Sequence, residues 1–220
     1  MGLSNYLPSS RLIQPGVCTS TTRPASPFNG QVIYETDTKQ TLVWQGSSWV
    51  MLTDADTPPG MVLIKTQTIG SNVTSVTVTD AFSSGFDVYQ ITVSGGAMNS
   101  GDYGLNMYLG STRSGYYYTG TYHTYGNTSA WIGAANAAEW GAVGIATTNT
   151  LQANISLSGP NLAKNTYFSN TYIYGHPAGG RAAMGGYLAD NTQYTGFTLF
   201  INASTMTGGT IRVYGYRNTI

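Results

Sequence analysis

The chain has 220 residues, 41% of them hydrophobic and only 8% charged, with nine basic residues balancing nine acidic ones. Ordinary soluble domains carry about 25% charge, so Gly, Ser, Thr, Asn and Tyr must solvate the surface here, and the low-hydrophobicity, high-charge signature of long disorder is absent. Zero net charge with no basic run argues against a nucleic-acid partner, and no stretch of about 18 apolar residues offers a membrane span.

Residues 1–27 contain Pro8, Pro15, Pro24 and Pro27, half of the chain's 8 prolines. Proline fixes φ and removes a ladder donor, which predicts an extended arm outside any sheet or helix. Tyr6, Leu7, Leu12, Ile13 and Val17 are apolar anchors through which such an arm could dock on a partner. The opening MGLSNYLPSSRLIQPG lacks the apolar core of a signal peptide, so synthesis in a cytoplasm is expected. The single cysteine, Cys18, can form neither an intrachain disulfide nor a Cys-based zinc site.

Residues 28–53 read as a three-stranded β-meander. Gln31–Glu35, Thr41–Gln45 and Trp49–Leu52 are short strands, separated by turns at Asp37–Gln40 and Gly46–Ser48. This unit holds Trp44 and Trp49, two of the four tryptophans. So small a unit cannot bury two indoles by itself. Ile33, Val43, Trp44 and Trp49 are therefore the expected contacts with other copies of the chain. Residues 54–60, DADTPPG, form a linker.

Residues 61–220 are dense in strand patterns: 61–68, 73–79, 86–94, 103–110, 115–122, 150–157, 170–175, 182–187, 195–202 and 209–216. Ten short strands at this spacing predict an antiparallel, jelly-roll-like β-sandwich head, and with it an all-β protein. Phe86–Val93 changes parity near Tyr89–Gln90, which signals a bulge or a strand buried on both faces. Ala130–Ala142 is Ala-rich but interrupted by Gly133 and Gly141, and reads as a loop with at most one helical turn. Residues 177–186, PAGGRAAMGG, read as a Gly-rich loop without the Lys and helix of a phosphate loop.

Chemistry-bearing patterns are sparse. His123 and His176 have no metal-ligand spacing between them, and no G-x-S-x-G is present. Asp87, Asp102 and Glu139 are loose candidates for a carboxylate pair. No catalytic residue, metal or cofactor is expected. The sequons at Asn72, Asn127, Asn154 and Asn202 match the chance frequency in so Asn- and Thr-rich a chain. The aromatic segment is more informative: Tyr117, Tyr125, Trp131 and Trp140 are candidates for stacking on sugar rings, against the alternative that alternate tyrosines face the core or an interface.

Residues 22–52 carry the composite pattern Thr22-Arg23-Pro24-Ala25-Ser26-Pro27-Phe28-Asn29-Gly30-Gln31-Val32-Ile33-Tyr34-Glu35-Thr36-Asp37-Thr38, then Val43-Trp44-Gln45-Gly46-Ser47 and Trp49. This resembles virion-appendage proteins of tailed bacteriophages: tail fibres, head fibres and decoration proteins. Phe86–Ile91 and Gly208–Arg217 are similar to the C-terminal domains of such proteins. The resemblance implies a homotrimer located in the virion. Its N-terminal arm would be anchored on capsid, neck or tail proteins, and its head could recognise a host-surface glycan. The chain departs from long receptor-binding fibres in having no repetitive shaft, which implies a short fibre, a tail knob or a capsid decoration protein.

Overall fold

Strand alternation and turn chemistry govern the entire fold, and no helix occurs among the described residues. The computed structural model describes residues 15–52, 60–174 and 179–217. The expected arm anchors Tyr6, Leu7, Leu12 and Ile13, most of the linker, and His176 lie outside those residues. The chain divides into two compact units, Met1–Pro58 and Pro59–Ile220.

The first unit is a four-stranded sheet. β2 (Val32–Glu35), β3 (Gln40–Trp44) and β4 (Trp49–Met51) form the antiparallel meander that the turns imply. Lys39 and Gly46 take positive φ in its two turns. β1 (Gly16–Cys18) joins β2 in parallel, Val17 opposite Tyr34. That strand corrects the expectation that residues 1–27 lie outside any sheet. Pro15 precedes it and Pro24 and Pro27 follow it, so every β1 amide remains able to pair.

The second unit is an antiparallel β-sandwich. Its larger sheet runs in the order β5 (Met61–Thr68), β18 (Thr210–Arg217), β7 (Phe86–Ser94), β13 (Leu151–Ser158), β14 (Thr166–Tyr174), β15 (Gly180–Leu188), β10 (Tyr116–Thr124) and β11 (Ser129–Ala137). The smaller one is β12 (Trp140–Ala146), β9 (Tyr103–Leu109), β16 (Phe197–Phe200) and β6 (Ser75–Val78). They are joined because β13 pairs with β12 through Leu151–Ala153 and with β14 through Ile155–Ser158, on one and the same edge. Most connections cross from one sheet to the other, as in a jelly roll. A two-stranded ribbon, β8 (Ala97–Met98) with β17 (Met206–Thr207), lies apart from both sheets.

The core follows from parity. Tyr89, Ile91 and Val93 point inward from β7, Leu105, Met107 and Leu109 line β9, and Leu151, Ile155 and Leu157 line β13. β7 does carry a bulge, but at Asp87 and not near Tyr89–Gln90: the register with β18 jumps from Tyr216↔Val88 to Arg217↔Phe86, and Val88–Val93 alternate regularly. Phe197, Leu199 and Ile201 are buried as their alternation requires, and so are Ile211 and Val213.

Two readings are corrected. Ala130–Ala142 is not a loop with a helical turn but most of β11 and the start of β12. Alanine's helix preference is worth a few tenths of a kcal/mol per residue, and pairing of β11 along β10 outweighs it. The Gly-rich 177–186 segment becomes strand from Gly180, because β14 and β10 flank it and supply ladder partners on both sides.

Candidate functional site

In the small sheet, register and alternation sort the side chains onto two faces. Val32, Val43 and Val50 stand in one cross-strand row, and Val17, Tyr34 and Thr41 continue the same face. Val17 is 70% exposed and Val50 is 38% exposed, while Val32, Val43, Tyr34 and Thr41 are half-buried, so this face is partly open. The opposite face carries Ile33, Glu35, Leu42, Trp44, Trp49 and Met51. Ile33 and Leu42 are buried there, while Trp44 and Trp49 are half-buried and meet edge-on, centroids 5.5 Å apart at 62°. The expected interface set is thereby split. Ile33 is already enclosed by its own chain, the indoles cover each other, and Val43 lies on the far face.

A polar clasp closes the Ile33 face. Arg23 donates from Nε to the fully buried Glu35 carboxylate, and Thr38 Oγ1 donates to the other oxygen at 2.7 Å. The hydrogen bond from Arg23, then that from Thr38, holds the Glu35 carboxyl below the usual carboxylate range. Asp37 is lowered as well, chiefly because Ser20 donates to it from its hydroxyl at 2.6 Å and from its amide at 3.0 Å.

The head presents two further surfaces. On the outward side of the larger sheet the registers line up Tyr117, Tyr187, Tyr167, Ser158, Val88, Tyr216 and Met61 in one row. Tyr117 and Tyr187 stack nearly parallel, 5.0 Å apart at 7°. Beside them Thr119, Ala134 and Gly185 line a shallow depression of about 210 Å³.

The sugar-stacking candidates do not converge. Trp140 is fully buried between Tyr116, at 5.1 Å, and Phe168, at 4.7 Å, and its Nε1 donates to the Tyr187 carbonyl at 3.3 Å. It is a core residue, which corrects the surface reading. Trp131 is 83% exposed on β11 opposite Thr121, and Tyr125 is exposed at the β10–β11 turn. Tyr117, the Trp131 position and Tyr125 succeed one another at four-residue steps along β10, about 13 Å each at the strand rise. No single small ligand spans all three.

The second surface is a groove at the mouth of the sandwich, where the inward side of β11 overhangs β9 and β12. Two adjoining cavities of about 200 and 280 Å³ share Gly104, Ile132 and Ala142. One is lined by Tyr122, Tyr172 and Ile145, the other by Tyr103, Asn106, Tyr118 and Asn202. The groove floor is a bulge in β12, which advances from Trp140 to Gly144 while β9 retreats only from Met107 to Leu105. Within the bulge Ala142 sits at φ 53°, a left-handed conformation that disfavours any residue with a Cβ.

Three side chains clamp that bulge. Ala142 N–H donates to Asn106 Oδ1 at 3.2 Å, and Asn170 Nδ2 donates to the Ala142 carbonyl at 3.2 Å. The Gly141 backbone hydrogen-bonds the Tyr118 hydroxyl. Burial first, then the charge of Glu139, raises the pKa of Tyr118 and keeps it neutral. Both amides are themselves buried, and Asn170 Oδ1 has no hydrogen-bond partner among the described residues.

No family model, curated protein or solved structure matches the chain.

The remaining candidate positions are dispersed. His123 Nδ1 lies 2.8 Å from Ser129 Oγ on the surface. Glu139 accepts from Arg113 at 2.9 Å, and that guanidinium lies over the Tyr108 ring at 4.4 Å. Among the described residues no three His, Cys, Asp or Glu side chains group closely enough to hold a metal ion. Sequence reading missed the groove because its lining comes from both sheets. The one local signal was a small residue, Gly104, interrupting the strand-like run 103–110.

Proposed function

We propose that the chain is a structural component of a bacteriophage particle, a homotrimeric short fibre, tail knob or capsid decoration protein. Its N-terminal residues anchor it to other virion proteins of the capsid, neck or tail, and the sandwich is displayed outward. The composite pattern of residues 22–52 suggests this role. The observation that carries it is the face of the small sheet on which Val32, Val43 and Val50 form a cross-strand row beside Val17, with Val17 and Val50 exposed among the described residues. An apolar sheet face of this kind is stabilised by burial, at about 25 cal/mol per Å² removed from water, and a three-fold arrangement of copies supplies the cover. This reading moves the expected contacts from the tryptophans to the valine row. Solution mass by light scattering tests it: a trimer that dissociates in Val43→Asp supports the reading, and a monomeric native chain overturns it.

A second reading, a carbohydrate-binding head for host-surface recognition, is favoured by the tyrosine- and amide-lined groove. The two are compatible, since one concerns assembly and the other display.

A further inference from the structure

The groove has the marks of a built site. Positive φ at a non-Gly, non-Asn residue is unfavourable by roughly 1–2 kcal/mol and persists only where surroundings enforce it. Here buried Asn106 and Asn170 enforce it from either side of Ala142. The neighbouring glycines keep the floor low. A Cβ on Gly141 would fall 2.5 Å from the Tyr118 hydroxyl oxygen, and one on Gly104 would fall 3.2 Å from the Ala142 Cα. A fold that needed only a closed sandwich would gain by regularising this edge; the present one spends two buried amides on holding it open.

The lining chemistry selects the ligand. Tyr122, Ile132, Ile145 and Tyr172 make one end mainly apolar, and Tyr103, Asn106, Asn202 and Tyr118 make the other more polar. Among the described residues no Asp, Glu, Lys, Arg or His lines either cavity. Glu139, which acts on Tyr118 electrostatically, is paired with Arg113. Aromatic faces complement the C–H face of a pyranose, while amides and phenols exchange hydrogen bonds with its hydroxyls. An ionised sugar would lose hydration in such a groove with no opposite charge to replace it.

We propose that the groove between β11 and the β9–β12 edge binds a neutral saccharide, with Tyr103 and Asn202 at its rim and the Ala142 bulge as its floor. The inference rests on the carbohydrate-binding reading of the head and places the ligand in the groove instead of on the exposed rings of Tyr117, Tyr125 and Trp131.

The test uses the full chain on an array of neutral and sialylated oligosaccharides, followed by calorimetric titration with the best neutral one. Tyr103→Ala trims an exposed rim ring, and Ile132→Trp fills the groove; each is expected to weaken binding at least tenfold. Trp131→Ala and Tyr117→Ala are expected to leave it within twofold. Thermal melts establish folding, and if Ile132→Trp does not fold, Tyr103→Ala alone decides. Loss on Trp131→Ala or Tyr117→Ala with Tyr103→Ala unaffected overturns the groove while leaving the head a carbohydrate binder. Binding of sialylated glycans alone overturns the ligand class. A folded protein that retains no glycan overturns both the groove and the carbohydrate-binding reading.

Discussion

Ala142 is the residue at which backbone strain and groove geometry meet. Glycine occupies the left-handed region without the Cβ penalty, so Ala142→Gly is expected to leave the head unchanged or more stable by up to about 1 kcal/mol, where a sheet alanine would lose stability. Urea denaturation measures this, and a loss of more than about 1 kcal/mol would mean that Ala142 is not strained. The two head tryptophans give the opposite contrast. Trp140 is enclosed by Tyr116 and Phe168, so Trp140→Ala is expected to destabilise by about 3–5 kcal/mol. Trp131 is 83% exposed, so Trp131→Ala should stay within about 0.5 kcal/mol. Equal effects in the same denaturation experiment would contradict the assignment of the two indoles. Nothing local in the sequence separates them: both stand in Gly- and Ala-rich surroundings, and only the β12 pairing turns Trp140 inward.

At the scale of elements, the apolar runs bounded by turn residues were legible. Phe86–Ser94 and Met61–Thr68 have the predicted bounds, and each of the ten expected runs overlaps a strand. The failures share a cause. In β11 alanine and glycine occupy both faces, so no period of two is visible. In β12 the bulge at Gly141–Val143 breaks the parity that would have announced a strand. β1, β8 and β17 have three, two and two residues, too few for any period to show. In the small sheet, alternation would have placed Val43 and Trp44 on opposite faces, and grouping them by hydrophobicity obscured it.

The Glu35 clasp makes this sheet acid-sensitive. Its folded-state pKa is depressed, so the stabilisation is complete above the ordinary carboxylate value of about 4.3 and is lost as pH falls through the folded value. The edge-to-face Trp44–Trp49 pair should give a circular-dichroism couplet that reports the sheet. Its amplitude is expected to fall below roughly pH 4 in the native chain, and Glu35→Gln should weaken the sheet already at neutral pH and flatten the acid transition. A couplet that follows the same acid transition in both proteins would remove Glu35 as the clasp.

For the whole molecule, the 8% charge content acquires a physical reading. Across two adjacent rows on the outer side of the larger sheet, Tyr117 to Met61 and Thr119 to Leu63, no charged residue occurs. The small sheet adds a partly open valine face. These surfaces suit repeated contact with uncharged partners, whether copies of the same chain or neutral glycans. Light scattering of the full chain beside Val43→Asp reads the assembly itself. The native protein is expected at three times the mass of one chain and the variant at a single-chain mass, both folded. A native protein of single-chain mass, or a variant that remains trimeric, overturns the proposed trimer.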